Sequence, residues 1–269
     1  NISDVPHKFM RHTDVLDFPG ARNREPVNLT DLFATFEEKG NKIHTFLIRG
    51  KVAYLFQKYV NSQDINAMLL CIKPSNMENV GLATVIERWI KNSIGKNPDD
   101  RTGQNNSFFF VMTFFDHHLI DTAANENETD RFTHRIYSSL LEKFGMLPDS
   151  WPLSWSISSQ QNVPFDNCYW LRNPGVAQSY FSRENGIEEL TATPAENDRI
   201  AQLQDMHSKT PGVIKHFKKP DEAWQAVMKE NDGGVSYILS ELSEVCKPEI
   251  KNEQLDNLAN SFSKELANS

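Results

Sequence analysis

Two short segments carry the side chains whose types and spacing could do chemistry: DFPG, from Asp17 to Gly20, and TFFD, from Thr113 to Asp116. A carboxylate that leaves a buried strand can hold the water shell of Mg²⁺. A glycine shortly after it lets a backbone N–H approach a phosphate, because no Cβ stands in the way. DFPG supplies both groups, and its competing interpretation is an ordinary tight turn with Pro second and Gly fourth.

The elements that must position these residues alternate between strand and helix. Residues 12–18 predict a first strand that ends at the Pro-Gly pair, and the apolar run Ile65–Ile72 predicts a second strand covered on both faces. The segment Phe108–Phe115 predicts the third strand, and PLSWSIS predicts a fourth. Helical segments separate them, so the order predicts an α/β fold with a parallel sheet and flanking helices.

The last part of the chain has a different, helical character. Thr193 is placed as a helix cap, with Pro in the first turn and Glu196 positioned to complete a capping box. Two further helices and a final one with an apolar stripe follow. The predicted organisation is therefore a partial α/β domain over residues 1–190 and an all-helical region over residues 191–269.

The ends of the predicted strands are the places to look for a ligand, because parallel sheets bind ligands beyond the carboxyl ends of their strands. In guanine-nucleotide proteins, the strand two places after a DxxG strand ends in [NT]KxD, whose Asp accepts hydrogen bonds from guanine. Thr113 and Asp116 occupy the matching positions here, but Phe114 stands where that motif has Lys. Base specificity is therefore left open.

The segments HTDVLDFPGARNRE, INAMLLCIKPSNM and FFFVMTFFD together resemble the SrfC-type bacterial virulence factor family, large proteins with a P-loop GTPase-like domain distantly like the dynamins. The resemblance implies that Asp17 binds Mg²⁺ and that Gly20 senses the γ-phosphate of GTP. It also implies that Thr113 and Asp116 face the base and that Ser158, in SISS, contacts the nucleotide from a fifth loop. GTP and Mg²⁺ would be cofactors of the intact protein.

The phosphate loop that such a domain needs is missing from this sequence. The motif is G-x-x-x-x-G-K-[ST], but Gly50-Lys51 is followed by Val and Gly95-Lys96 by Asn. Either the chain is the later part of a domain whose early strands precede it, or the loop has been lost; the first explanation is the more economical. In both cases we expect no GTP hydrolysis and no tightly bound cofactor in this chain alone.

A metal site is the main alternative for the segment after the third strand. Asp116, His117, His118 and Asp121 are all ordinary metal ligands within a few residues. However, adjacent histidines point in different directions, and no HxxxH or HExxH spacing accompanies them. A polar loop is therefore the preferred interpretation.

Composition narrows the classes of function. The net charge of -8 and the lack of basic runs argue against nucleic acid as a partner. No signal peptide and no apolar run long enough to span a bilayer is found, which predicts a cytoplasmic protein or an effector secreted by another route. The three cysteines and the tryptophans at 89, 151, 155 and 170 are expected in the core.

Two functional hypotheses follow. The first is a nucleotide switch that works in the intact protein through the segment after Gly20. The second is a non-catalytic interaction module that keeps a degenerate nucleotide-binding fold and binds a bacterial or host protein. The sequence does not identify that partner.

Overall fold

The computed structural model describes the following parts of the chain: residues 8–11, 13–17, 65–74, 82–120, 131–175 and 180–247, with separate helical positions between 47 and 60 and between 252 and 266. Gly20 and Asp121, which carry predictions made above, lie outside the described residues.

A three-stranded parallel sheet positions the other elements. β1 (Met68–Ile72), β2 (Phe108–Met112) and β5 (Cys168–Trp170) lie in the order β1-β2-β5, and both neighbouring pairs are parallel. β2 is the central strand and every one of its residues is buried. A strand covered on both faces needs apolar side chains throughout, which explains the uninterrupted run FFFVM. The predicted mixed α/β structure with a parallel sheet is confirmed.

β1 is covered on one face only. Its burial alternates from Met68 to Ile72, so that Leu69 is 40% exposed and Cys71 is also exposed. The prediction of a strand covered on both faces was therefore wrong for β1, as was the core position of Cys71. The reason is that helix α8 (Val235–Val245) covers the second face only over the other two strands. That smaller core consists of Phe109, Val111, Tyr169, Ile238 and Val245.

Helices cover the opposite face of the sheet. They are α1 (Leu82–Ser93), α2 (Pro98–Arg101), α3 (Arg131–Ile136) and α4 (Glu142–Phe144), with a π-helical segment, Tyr137–Leu141, joining the last two. The helices predicted between the second and third strands and after the third strand are confirmed. α1 and α3 bury apolar side chains on one side, Ile86, Trp89 and Ile90 in α1 and Phe132 and Ile136 in α3, as a helix packed on one side requires.

The main core on this face is aromatic. The rings of Phe108 and Trp151 meet edge to face at 5.2 Å, and those of Trp155 and Phe165 at 4.9 Å. Such edge-to-face pairs are favourable because the positive ring edge meets the negative ring face. The tryptophans predicted for the core are all buried, namely Trp89, Trp151, Trp155 and Trp170.

The predicted fourth parallel strand was wrong. PLSWSIS contributes β3 (Ser156–Ser158), which pairs antiparallel with β4 (Gln161–Val163) in a separate two-stranded sheet. The two residues between them, Ser159 and Gln160, both have positive φ, of 50° and 63°. This is the backbone twist that a two-residue hairpin requires. The third parallel strand is β5 instead.

A second hairpin leads into the helical region. β6 (Phe181–Glu184) and β7 (Ile187–Leu190) pair antiparallel around Asn185 and Gly186, with φ of 50° and 84°. Asn-Gly is the residue pair that tolerates this conformation best. The hairpin was not predicted.

The helices predicted from Thr193 onwards are present as far as Val245. They are α5 (Pro194–Lys209), α6 (Pro211–His216), α7 (Pro220–Met228) and α8. The capping box of α5 is confirmed: the Glu196 N–H donates to the Thr193 hydroxyl at 3.4 Å, and the Thr193 N–H donates to the Glu196 carboxylate at 2.7 Å. Gly234 caps α8 with φ 98°, and a Cβ there would lie 2.7 Å from the Trp170 carbonyl oxygen.

The predicted first strand is not formed where the structure describes it. Residues 13–17 are irregular, and Val15 and Leu16 are 82% and 47% exposed. Upstream, a short 3₁₀ helix spans Lys8–Arg11, and the Thr13 hydroxyl donates to the Phe9 carbonyl at 3.0 Å. The apolar pattern of this segment was therefore not sufficient for a strand, since no described strand pairs with it.

Candidate functional site

The carboxyl end of the parallel sheet brings two of the predicted site residues together. Thr113 directly follows β2, and Asp116 lies in the 3₁₀ helix Phe115–His118 that comes next. Asp17 lies on the exposed irregular segment instead, and Gly20 lies outside the described residues. The role of these residues in binding a nucleotide stays a prediction.

Ser158 lies towards the opposite end of the sheet. The Trp155 ring contacts Phe165 at 4.9 Å, and Phe165 contacts Phe108, the first residue of β2, at 5.5 Å. In addition, the Ile157 N–H donates to the Thr102 hydroxyl at 3.0 Å. The β3–β4 hairpin therefore lies beside the amino end of β2, and the structure does not group Ser158 with Thr113 and Asp116.

Thr113 is tied to the sheet through both its backbone and its side chain. Its N–H donates to the Ile72 carbonyl at 2.9 Å, and its hydroxyl donates to the same oxygen at 3.1 Å. Phe114, the next residue, has the left-handed conformation, with φ 61° and ψ 44°, and is 50% exposed. A bulky side chain rarely adopts this conformation, so the backbone at the end of β2 is strained.

Asp116 is buried close to the ion pair that Arg172 forms with Glu188. Burial raises the pKa of its carboxyl, while hydrogen bonds from the backbone N–H groups of Asp116 and Asn173 and the nearby Arg172 partly lower it. Its Oδ1 has no hydrogen-bond partner. The side chain is 6% exposed, so it faces the interior and not a groove open to solvent.

Arg172 and Glu188 form a buried ion pair near Asp116. Arg172 follows β5 and donates through Nη1 and Nη2 to both carboxylate oxygens of Glu188, on β7; the Nη2 contact is 2.9 Å. The Asn231 side chain accepts from the Glu188 N–H at 2.8 Å and donates to its carbonyl at 3.0 Å. Both charged side chains are fully buried, so this network joins the sheet, the second hairpin and the helical region.

Two arginines of α3 are further buried charges at this end of the sheet. Arg135 donates through Nη2 to the carbonyl oxygens of Ile72 at 2.8 Å and Thr113 at 3.1 Å. Arg131, one turn earlier, donates to the His118 carbonyl at 2.6 Å. Burial, followed by the charges of Arg135 and Arg131, lowers the pKa of His118 to about 3. His118 is therefore neutral at physiological pH.

The metal hypothesis finds no support in the described part of the chain. No group of three or more His, Cys, Asp or Glu side chains there could hold a metal ion. His117 is exposed and His118 is buried, as expected for adjacent residues that point in different directions. Asp121, the fourth proposed ligand, lies outside the described residues.

Three buried charged residues at this end of the sheet were not predicted from the sequence: Arg135, Arg172 and Glu188. Arg172 follows a parallel strand, which is the signal that singled out Asp116, but β5 itself was not predicted. The i, i+4 spacing of Arg131 and Arg135 was a second available signal, since it places two cations on the same face of the helix, beside the apolar Phe132 and Ile136.

The family model described as "putative bacterial virulence factor" matches residues 1–269. The chain belongs to this family. Membership confirms the virulence-factor part of the resemblance drawn from the sequence, and the P-loop GTPase-like part stays a prediction. The comparisons gave no match among curated proteins and none among solved structures.

No helix in the described part of this family member has both the length and the apolar character that crossing a bilayer requires.

Proposed function

We propose that this member of the virulence-factor family acts as a protein-interaction module, by binding and not by catalysis. The observation that carries the proposal is the outer side of β1. β1 is the edge strand of the described sheet, and Leu69 is 40% exposed on the face that α8 covers over the other two strands. An exposed sheet edge is a surface to which another extended chain adds.

The hydrogen bonds of β1 show which of its backbone groups face away from β2 and towards an added chain. The Met68 N–H donates to the Ser107 carbonyl and the Thr113 N–H donates to the Ile72 carbonyl, both at 2.9 Å. Because the pairing alternates along a parallel strand, the backbone of Leu69 points away from β2. A protein segment in extended conformation, with apolar side chains at alternate positions, has the complementary chemistry.

The placement of the predicted site residues supports binding over catalysis. Asp116 is buried, the Thr113 hydroxyl bonds to the Ile72 carbonyl, Asp17 lies on an irregular segment, and Ser158 lies towards the amino end of the sheet. General acid–base or nucleophilic catalysis needs several such groups around one reacting atom.

A nucleotide switch is the second candidate, and the strand order favours it. Three parallel strands in chain order are what one half of a doubly wound sheet contains, and such sheets bind ligands at their carboxyl edge. In this hypothesis GTP and Mg²⁺ bind only in the intact protein. Further strands of that protein would then lie against β1, in a cytoplasmic or secreted virulence factor whose GTPase-like domain includes residues 1–190.

A photo-crosslinking experiment tests the interaction module. A benzophenone amino acid replaces Leu69 in the full-length protein inside the bacterium, and Ile187 of β7, which is 57% exposed, is the matched control position. We expect a discrete adduct, to a protein or to another segment of the same polypeptide, from position 69 and not from position 187. Equal labelling from both positions, or none from position 69, would overturn the proposal.

A nucleotide-binding measurement tests the second candidate. GTP binding by the full-length protein is measured beside Asp17→Ala, with Asp14→Ala as a control at a neighbouring exposed carboxylate. Binding that Asp17→Ala alone abolishes supports the switch. An intact protein that binds no GTP rules the switch out.

A further inference from the structure

His207 of α5 joins the helical region to the sheet through a hydrogen bond that depends on its charge. The side chain is fully buried, and its Nε2 accepts the Nε1–H of Trp170, on β5, at 2.8 Å. Indole nitrogen is only a donor, and imidazole accepts only when neutral, because both of its nitrogens carry hydrogen in the cation. The bond between the two elements therefore exists only while His207 is neutral.

Aromatic rings surround the imidazole of His207. Phe132 of α3 meets it edge to face at 5.2 Å, and Trp224 of α7 lies at 5.4 Å. Because Nε2 accepts, the hydrogen of the neutral ring is on Nδ1, which has no hydrogen-bond partner among the described residues. Protonation would break the bond from Trp170 and bring a charge into an apolar site. Burial accordingly lowers the pKa of His207 to about 4.

Two further histidines are buried between the sheet and the helical region. His118, after β2, contacts Phe132 at 5.4 Å and Trp170 at 5.6 Å, the same two rings that the α5 histidine contacts. His216 of α6 is fully buried, and its Nδ1 donates to the Phe165 carbonyl at 2.7 Å. Burial lowers the pKa of both imidazoles, and neither Nε2 has a partner in the part of the chain that the structure describes.

Charges on the elements packed around these rings do not offset the cost of protonation. Asp221, at the exposed start of α7, favours protonation of His207, but burial outweighs it. β5 presents only uncharged side chains, Cys168–Trp170. Exposed ion pairs engage other charges of the helical region: Lys209 with Asp205 and Lys219 with Glu222. Nearby basic groups oppose protonation of the other two histidines: Arg135, Arg131, His117 and His207 for His118, and Lys215 for His216.

The other attachment of the helical region does not depend on histidine. There the buried pair of Arg172 and Glu188, together with Asn231, joins the turn before α8 to β5 and β7. Asp116 lies near this pair, and burial raises the pKa of its carboxyl, so acid favours the folded state there. Acidification therefore acts against the attachment of α5 and α6 and not against that of α8.

We propose that α5 and α6, residues 194–216, form an acid-sensitive segment that separates from the sheet when its buried histidines take up protons. The stabilising effect of neutral His207 is fully present above about pH 6.5, the ordinary value of an exposed imidazole, and is lost as the pH falls towards 4. From pH 7 to pH 5, proton uptake by His207 alone should raise the opening constant of the segment about 25-fold. This segment is separate from the outer side of β1 and does not depend on the interaction module proposed above.

Hydrogen exchange of the whole chain at pH 7 and pH 5, corrected for the intrinsic exchange rates, tests the proposal. We expect the amides of residues 194–216 to show the 25-fold rise and, at pH 5, to open at least about tenfold more often than those of β2. His207→Gln keeps an acceptor for Trp170 but does not titrate, so its rise should be at least about tenfold smaller. His134→Gln, at an exposed position of α3, is the matched control and should keep the full rise.

A measurement on the unchanged protein keeps the test decisive if His207→Gln does not fold. The Trp170 indole N–H, followed by NMR, should become exchangeable at pH 5 together with the amides of the segment, since its bond to His207 is then broken. The proposal is overturned if this N–H stays protected at pH 5, if residues 194–216 and β2 open with the same constant, or if His207→Gln shows the same rise as the unchanged protein.

Discussion

Arg101 and Arg135 are buried arginines at opposite ends of the parallel sheet, and the fold uses them differently. Near the amino end, all three nitrogens of Arg101 donate to backbone carbonyls. At the carboxyl end, Arg135 contacts two carbonyls through one nitrogen and leaves the other two unused. The fold therefore uses every nitrogen of the arginine near the amino end and only one nitrogen of the arginine at the carboxyl end.

The ion pair of Arg172 and Glu188 gives the largest expected effect at the carboxyl end. Glu188→Ala leaves a fully buried guanidinium without its counter-ion. We expect the free energy of unfolding to fall by about 3–5 kcal/mol, because an uncompensated buried charge is strongly destabilising. Urea unfolding followed by tryptophan fluorescence measures this loss.

The adjacent Glu189 provides the control for this measurement. Glu189 is exposed on the same strand, so Glu189→Ala should change the free energy of unfolding by less than about 0.5 kcal/mol. Equal effects of the two substitutions would mean that the buried pair does not join the hairpin to the sheet.

Substitution of Arg101, near the amino end of the sheet, gives the next largest expected loss of stability. Arg101→Met removes the donors of four carbonyl contacts, two of them to the buried Trp155 and Ser154. We expect a loss of about 3 kcal/mol in the free energy of unfolding, since buried carbonyls are left without partners. Urea unfolding at neutral pH measures it, and a loss below about 1 kcal/mol would contradict this role for Arg101.

The pH dependence of stability tests the positive field around His118. Its pKa is lowered to about 3, first by burial and then by Arg135 and Arg131, so the unfolded chain takes up a proton at higher pH than the folded one does. The contribution of the neutral, buried His118 to the free energy of unfolding is therefore fully present above about pH 6.5 and is lost as the pH falls. Between pH 7 and pH 5 we expect it to remove about 2 kcal/mol.

The measurement compares the unfolding free energies of His118→Leu and the unchanged protein at those two pH values. The variant should lose about 2 kcal/mol less on acidification. Asp116 acts in the opposite sense, because its raised pKa favours the protonated folded state, and it is present in both proteins. His117→Leu, at the exposed neighbouring position, should keep the original pH dependence. The same slope in all three proteins would contradict a buried neutral His118.

The sequence predicted the elements whose signals are local and missed those that depend on distant contacts. The run FFFVM and the cap at Thr193 carry their causes in neighbouring residues, and both are confirmed. β5 has only the three residues Cys168–Trp170, too few for periodicity to be recognised. The Asn185-Gly186 turn is an exception, because its residue pair is a local hairpin signal even though the hairpin was not predicted.

The site residues also divide into those with a local sequence signal and those that depend on contacts between distant elements. Asp116 was found because it directly follows a recognisable strand. The pairing of Arg172 with Glu188 joins residues on separate elements, and no local pattern reports it. The opposite outcome occurred at Val15 and Leu16: their apolar pattern predicted a strand, but a strand also needs a partner, which the sequence of the segment does not show.

Arg135→Met has the smallest expected effect on stability and tests the comparison most directly. The variant loses the bonds to the Ile72 and Thr113 carbonyls, but it also removes a buried charge that forms no ion pair with a carboxylate among the residues that the structure describes. These two changes oppose each other, so we expect the free energy of unfolding to change by less than about 1 kcal/mol in urea unfolding. Arg101→Met, the same substitution near the amino end, is the matched control.

A second readout separates a spare cation from an undetected structural role. Among the charges that lower the pKa of His118, Arg135 has the largest effect. Arg135→Met should therefore raise that pKa, which NMR of the imidazole ring measures. If Arg135→Met instead destabilised the fold as much as Arg101→Met, the two arginines would be equivalent structural ties. A small loss of stability together with a raised His118 pKa would mean that Arg135 carries its charge beside His118 while contributing little to the stability of the fold.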